Sequence, residues 1–397
     1  MDAEVVVIGG GPAGSATAAL LAQRGHDVLL LDRARFPRDK ACAEYLSPGV
    51  EDVLRRLGAL DRILALHPER PLGMRLVHRG AISARIGYPD QPTARRALCL
   101  PRRDLDAALL DHARSAGVRV HEATTLTHLA ASPSGTTVTV NPGPPVRARL
   151  AIGADGARSV VARSAGLLRR VVWPRRLGLI AHVPRTPALD SIAEWGEMHV
   201  GRGAYCGLAP LPGGRVNVGL VMPLATARRA GGLEAALEAG LSRVPTARSR
   251  LAGAPRIGRV RGAAPIACRA ARPYADSLLL VGDAAGFLDP FTGEGVYRAL
   301  RGAERAAEAA HHALSTGRSD ARALAPYAAA RARAFGAKGA LSLVIQGLLA
   351  TPPLLAYALR RLDRRPSVAA ILGGALGDYR DPAAVLRPAF LVGLLRP

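Results

Sequence analysis

Three glycines near the start of the chain have the spacing to hold a phosphorylated ligand. Gly9, Gly11 and Gly14 stand in the string GGGPAG, directly after the β-branched run Val5-Val6-Val7-Ile8 and before the helix-forming run Ser15–Leu21. Strand, glycine turn and helix in that order are what make G-x-G-x-x-G informative. Gly9 permits the tight turn, Gly11 lets the backbone approach a pyrophosphate, and Gly14 lets the helix pack on the strand. The helix start adds free N–H groups and a positive dipole end. Asp32, 23 positions after Gly9, closes the run Asp27–Leu31. An acid there can accept both ribose hydroxyls of an adenosine. Taken alone, this unit allows a nicotinamide or a flavin dinucleotide.

Two later segments repeat the arrangement of an apolar strand running into an acid. Leu150–Gly153 leads to Asp155-Gly156, with Arg158 and Arg163 just beyond. Ser277–Val281 leads to Gly282-Asp283, and then to Pro290, Gly293 and Gly295. Each acid falls at the carboxyl end of a strand, where open α/β sheets bind ligands. The elements that must position these groups are legible from hydrophobic spacing. Helices are predicted over 50–60, from 102 to about 113, near 233–243, and over 295–313 and 321–337. Strands are predicted within 71–98, at 118–120 and 136–140, and repeatedly between 171 and 270.

Composition narrows the class. The 397 residues carry a formal charge of +23 and are 49% hydrophobic, enough to bury a core in two domains with a tail. A basic chain invites a nucleic-acid reading. Only Lys40 and Lys338 are lysines, the arginines are scattered, and aromatics are 4%. No basic run interleaves with aromatics, so no nucleic-acid partner is expected. Anionic surfaces, either membrane headgroups or a phosphorylated cofactor, suit the charge better. Cys42, Cys99, Cys206 and Cys268 form no C-x-x-C pair, so neither a metal site nor a disulfide framework is expected. The first strand begins within a few residues of the N-terminus, which leaves no room for a signal peptide, and the expected location is cytoplasmic.

The three strand-end motifs, in this order and spacing, resemble the FAD-binding fold shared by para-hydroxybenzoate hydroxylase and the geranylgeranyl reductases, over roughly residues 4–335. The resemblance implies an α/β fold: a Rossmann-like, three-layer FAD-binding domain with a parallel sheet, an antiparallel-sheet substrate domain, and a helical C-terminal tail. The FAD domain would comprise 1–70, 98–165 and 271–335, the substrate domain 71–97 and 166–270, and the cap 336–397. It implies that Asp32 holds the adenosine ribose, that Arg102 contacts FAD, that Asp155 and Arg158 serve both FAD and NAD(P)H, and that Asp283 bonds the ribityl chain. Pro290, Gly293 and Gly295 would line the isoalloxazine, and Pro12, Ala13, Arg33, Cys42, Gly282, Glu294 and Val296 join the cofactor set. A helix beginning near Gly295 would offer its positive end to the charge that reduced flavin carries near N1. Arg103 and Arg163 are ligands or surface ion pairs.

The string from Gly282 to Gly295, and Phe36–Cys42 ahead of Leu46-Ser47-Pro48, look like the geranylgeranyl reductase branch. Two departures stand out. Ala43-Glu44-Tyr45 replace the Gly-Gly-type residues after the cysteine, and Tyr205–Pro210 keeps the Tyr and Pro of the reductases' Tyr-x-Trp-x-Phe-Pro while losing Trp and Phe. The halogenase relatives' Trp-x-Trp-x-Ile-Pro is absent, which sets halogenation aside. Glu44 and Tyr45 are the candidate catalytic pair, a carboxylate and a phenol that could orient or deprotonate a phenolic substrate; the alternative is a solvated glutamate and a packed tyrosine. Cys42 reads as a packing residue rather than a nucleophile. No second G-x-G-x-x-G follows a strand, so NAD(P)H would visit transiently or a separate reductase would supply electrons.

The leading expectation is a FAD monooxygenase, driven by NAD(P)H, that hydroxylates a bulky apolar phenolic or polyketide-like molecule. The alternatives are a reductase of prenyl double bonds and a flavin-binding protein without turnover. The apolar tail segments 341–350 and 354–359 are separated by Pro352-Pro353 and followed by Arg360, Arg361, Arg364 and Arg365. The prolines divide it into helices too short to span a bilayer. Those helices could lie on an anionic membrane surface, making the chain membrane-peripheral, or pack on the substrate domain or a dimer interface. Either suits a lipophilic substrate.

Overall fold

The β-branched run at the N-terminus becomes the centre of a parallel sheet. The computed structural model describes residues 1–80, 82–90 and 93–395. Positions 81, 91–92 and 396–397, inside the expected segments 71–97 and 336–397, lie outside the described residues. Strand Ala3–Ile8 pairs in parallel with Val28–Leu31 on one side and Val146–Gly153 on the other. Leu278–Leu280 and Arg119–His121 extend the parallel set outward. The register makes Ile8 level with Leu31 and Gly153, and Gly153 level with Leu280. Gly9, Asp32, Asp155 and Asp283 therefore all follow one edge of one sheet.

Alternation along the first strand builds a layer on each face. Val5 and Val7 enter a core with Leu21, Leu105 and Leu300 from the helices Pro12–Ala22, Arg102–Ser115 and Gly295–Ser315. Val6 and Ile8 enter the opposite core, closed by Leu129 and Val138 of the hairpin Thr125–Ser132/Gly135–Asn141. This is the three-layer parallel fold expected.

A second sheet has seven strands, in the order Ile257–Ala263, Arg176–Pro184, Arg215–Pro223, Tyr205–Leu211, Trp195–Val200, Gly73–His78 and Ile82–Gly87. Every pairing is antiparallel except that of Trp195–Val200 with Gly73–His78. One face is covered by the helices Leu233–Ser242 and Pro245–Arg250. The other face, through Met198, Val200, Tyr205 and Val221, packs on Leu341, Ile345, Leu355 and Leu359 of the C-terminal helices.

The expected helix over 321–337 and the apolar segment 341–350 are joined in the structure. Helix Pro326–Ala350 runs unbroken across position 336, where the cap was expected to begin. Ala and Leu around Gly336 and Gly339 sustain the helix, and the chain turns only at Thr351-Pro352. No single described helix is long and apolar enough to cross a membrane; the pair 321–350 and 352–363 passes that test together but is bent by 114°.

A buried ionic cluster ties this cap to the first domain. Lys338 Nζ donates to Ala375 O (2.8 Å) and Leu376 O (3.0 Å) and pairs with Asp378 (2.7 Å), with Glu294 at 4.0 Å. Asp378 also accepts Ser47 Oγ at 2.6 Å. Gly49 allows the approach, since a Cβ there would lie 2.3 Å from Asp378 O. Lys338→Met should strand both carboxylates and cost on the order of 3 kcal/mol or more, read as a lowered urea midpoint. An unchanged midpoint would refute the anchoring role.

Candidate functional site

The first strand-end unit is built around contacts that only glycine permits. A Cβ on Gly14 would lie 1.8 Å from Gly9 O, and one on Gly9, at φ +108°, 2.5 Å from Ala154 O. Gly282, at φ +57°, would meet Ala13 Cβ at 2.9 Å. The three sequence-distant motifs therefore touch. Gly11 differs: a Cβ there would meet only Arg38 Nη2, at 3.6 Å, so it faces open space. The helix that follows has no side-chain cap at Gly11, and Pro12 has no N–H. The amides of Ala13 and Gly14 are left for a ligand.

The acids are held in different ways. Asp32 is buried, with Oδ2 accepting Gly10 N (2.6 Å) and Oδ1 accepting Ala34 N (2.7 Å). Asp155 Oδ2 accepts Val160 N (2.6 Å) and Val161 N (3.2 Å), while its buried Oδ1 has no partner. Burial pushes the Asp155 carboxyl up, against the pull of those hydrogen bonds. Asp283 is half-buried in a short turn just past its strand. Arg33 and Arg158 are exposed.

Cations gather beside the glycine turn. Arg102 donates through Nε (2.7 Å) and Nη2 (2.8 Å) to Asp106, and Arg38 Nη1 reaches the same carboxylate at 2.9 Å. Lys40 Nζ lies 3.8 Å from the Cβ position of Gly156. Lys40 is exposed, with Arg102, Asp283, Asp106 and Arg38 as its charged neighbours in the cleft at the strand ends. Desolvation lowers its pKa, as does Arg102, while Asp283 and Asp106 oppose them. In the cleft at the strand ends Arg38, Lys40 and Arg102 stand beside Asp106 and Asp283, and an orphaned Asp155 Oδ1 waits for a donor such as a hydroxyl. These groups fit a dinucleotide with its pyrophosphate at the glycine turn. Arg38, Lys40 and Asp106 were not singled out from the sequence, although the i,i+4 pair Arg102/Asp106 was a visible signal.

The loop at Cys42–Tyr45 joins this cleft to the second sheet. Glu44 has φ +55°, a conformation that favours glycine. Its side chain is 5% exposed. Oε1 accepts Arg102 N (2.9 Å), and Oε2 accepts Asn217 Nδ2 (2.7 Å) and lies 2.8 Å from His182 Nε2. A carboxylate can only accept, so Nε2 of His182 carries a proton. Tyr45 is buried against the opposite strand, its hydroxyl 2.9 Å from that of Tyr88. Burial, and then the neighbouring phenol, push the Tyr45 hydroxyl well above its ordinary range, so it stays protonated at neutral pH. Asn217 Nδ2 also donates to Cys42 O at 3.1 Å. His182 and Asn217 were invisible as partners of Glu44 from the sequence.

The far end of the cleft is bounded by residues 289–296. Gly293, at φ +69°, packs on Tyr45, whose Cδ1 is 3.7 Å from its Cβ position. Pro290 and Gly295 are half-buried and Val296 is buried. Asp289 accepts Tyr205 Oη (2.6 Å), Arg176 Nη1 (2.6 Å) and Phe291 N (3.0 Å). Glu294 is buried with Oε2 lacking a hydrogen-bond partner. Burial raises its carboxyl to about 7, with Arg298 and Lys338 pulling the other way.

Comparison with known proteins places these observations in a family. The FAD binding domain family matches residues 2–338. Menaquinone reductase from Mycolicibacterium smegmatis is 34% identical over 323 residues, 77% of this chain and 76% of the relative. Digeranylgeranylglycerophospholipid reductase 2 from Methanothermobacter thermautotrophicus is 32% identical, over 82% of each chain. Among solved structures, CmlS, a flavin-dependent halogenase, superposes with a TM-score of 0.76 at 26% identity, over 85% of this chain and 63% of that chain. A flavoprotein/dehydrogenase from Cytophaga hutchinsonii shares the fold, with a TM-score of 0.84, 21% identity and coverage of 97% and 95%.

Two expectations test the site. Gly11→Val should fill the open cradle and yield protein purified without flavin absorbance; a fully flavin-loaded variant would displace the pyrophosphate from this turn. Glu294 holds its proton up to about pH 7 when folded, against an ordinary value of 4.5. The folded state therefore binds more protons between those values, and stability falls as pH rises through that window. Glu294→Gln should remove this dependence, on the order of 2–3 kcal/mol by urea unfolding at the two ends of the window. With the family matched across residues 2–338 and three strand-end motifs in contact around one cleft, the chain belongs to the FAD binding domain family, as a FAD-dependent oxidoreductase of the geranylgeranyl reductase group.

Proposed function

We propose that this protein is a reductase that saturates a carbon–carbon double bond in an isoprenoid lipid, with NAD(P)H as the transient electron donor. The observation that carries the reading is the Glu44–His182–Asn217 device, set where the cofactor cleft meets the second sheet. Reducing an isolated double bond requires a hydride and a proton. Reduced FAD, when bound, supplies the hydride equivalent. With Nε2–H of His182 engaged by Glu44 Oε2 at 2.8 Å, Nδ1 can take a proton from solvent and pass it to the carbon of the double bond opposite the one that takes the hydride. Glu44 is a positioning residue: its oxygens are taken up by Arg102 N, Asn217 and His182, so it orients the imidazole. The surroundings suit an apolar substrate, since Ile180 Cδ1 and Ala43 Cβ each lie 3.6 Å from the Cβ position of Gly219, and Tyr205 meets Phe291 edge-on at 5.1 Å. The reductases that this chain resembles at 34% and 32% identity support the same reading.

Hydroxylation, the leading expectation from sequence, requires O2 and makes the opposite demand on the experiment. Reduced holoenzyme should convert a prenylated lipid under anaerobic conditions to a product heavier by two hydrogens. Product formed only with O2, and heavier by one oxygen, would overturn the reductase reading in favour of hydroxylation. In D2O, deuterium should appear at the reduced carbon pair. His182→Gln should slow turnover about a hundredfold while flavin reduction by NAD(P)H proceeds at the wild-type rate. Glu44→Gln should shift the pH profile of turnover while leaving flavin bound; an unmoved profile would make Glu44 a purely structural contact.

A further inference from the structure

The second sheet carries a basic cleft that the redox site does not use. It has a volume of about 1160 Å³ and is lined by five arginines against one carboxylate. The carboxylate, Glu197, is already committed: Arg250 reaches it through Nη2 (3.0 Å) and Nε (3.0 Å), and His199 Nε2 lies 3.0 Å away. Those contacts keep Glu197 ionised despite its burial. Arg75, Arg79, Arg202 and Arg243 have no carboxylate within 4 Å among the described residues. Four guanidiniums that share a concave wall without counter-charge repel one another, and an anion relieves that repulsion.

Two features mark a built site rather than scattered surface charge. Arg243 is held in place, with Nε donating to Arg202 O (2.9 Å) while Arg202 N donates to Arg243 O (3.0 Å). Gly201 makes that clasp possible, since its Cβ would lie 2.0 Å from Arg243 O. The second feature is His78, which lines the cleft and is 3% exposed. Its Nδ1 lies 3.1 Å from Val200 O and so carries a proton. Its buried Nε2 has no partner, and an unpaired buried polar atom is costly unless a ligand satisfies it.

The cleft is separate from the redox site. None of its lining residues belongs to the Glu44–His182–Asn217 group: Arg75, Glu197 and His199 project from one face of the sheet, while His78 and Val200, at the strand ends, are in register with the face of Gly196 and Met198.

We propose that this cleft binds a phosphorylated ligand through bidentate arginine–phosphoryl contacts, with His78 Nε2 as a further partner. The phosphoryl groups belong either to a soluble phosphate ester or to an anionic lipid headgroup. FAD-saturated enzyme is titrated calorimetrically with inorganic pyrophosphate, and its co-sedimentation with phosphatidylcholine vesicles is compared with that on vesicles containing phosphatidylglycerol. The comparison variant is Arg79→Ser/Arg202→Ser, which changes two exposed side chains, with His78→Gln as a second. One saturable pyrophosphate site, weakened at least about tenfold in the double variant with unchanged flavin absorbance, supports the soluble source. Vesicle binding that requires phosphatidylglycerol and weakens by about the same factor supports the headgroup. Binding of neither probe, or binding that both variants leave unchanged, overturns the proposal.

Discussion

The turn from the first strand into the first helix depends on the absence of one carbon atom. The space between Gly9 O and the Cα of Gly14 admits no side chain, because a Cβ would come within 1.8 Å of that oxygen. This contact sets the helix close against the strand ends and directs its uncapped amides over the sheet edge. Ala13, carried on that helix, then meets Gly282 from a strand more than 260 residues away in sequence. The Ala154 carbonyl closes the same cluster from the third segment. The cleft exists because three strand ends were brought level and then allowed into contact.

The second sheet acquires its relation to that cleft through one strained residue. Glu44 occupies a left-handed conformation that costs about 1 kcal/mol or more for a residue with a Cβ. Its hydrogen bonds to the Arg102 amide, Asn217 and His182 offset that cost and staple the loop between the two domains. At a backbone position that favours glycine, this chain has placed a side chain that can reach across. The same residue that strains the backbone supplies the group that orients the His182 imidazole.

Much of the fold was legible because its signals are local. Val5–Ile8, Val28–Leu31 and Leu278–Leu280 are short apolar runs that end in glycine or acid, and each became a strand of the parallel sheet with its following residues on one edge. The helix starting at Gly295 and the strand-rich stretch after 171 were legible for the same reason. The boundary at 336 was less so. The composition shift there is real, but nothing in it breaks helical hydrogen bonding, and the helix continues to Ala350. Lys338 stands out in the sequence only as one of two lysines; burial among carbonyls and Asp378 makes it the link between cap and core.

What the sequence by itself determined was the cofactor class: glycine spacing, strand-end acids and the order of three motifs are properties of short segments, each with its own steric or electrostatic requirement. Only the tertiary structure decided which side chains work together. His182 and Glu44 are 138 positions apart, and Arg38 and Arg102 share Asp106 across two separate elements. His78 and Arg243 reach one cleft from different ends of the second sheet's sequence. Pairings of this kind leave no periodic trace, because they depend on strand register and loop closure rather than on neighbouring residues. The chemistry of the site is therefore written in contacts that come into existence only when the chain folds.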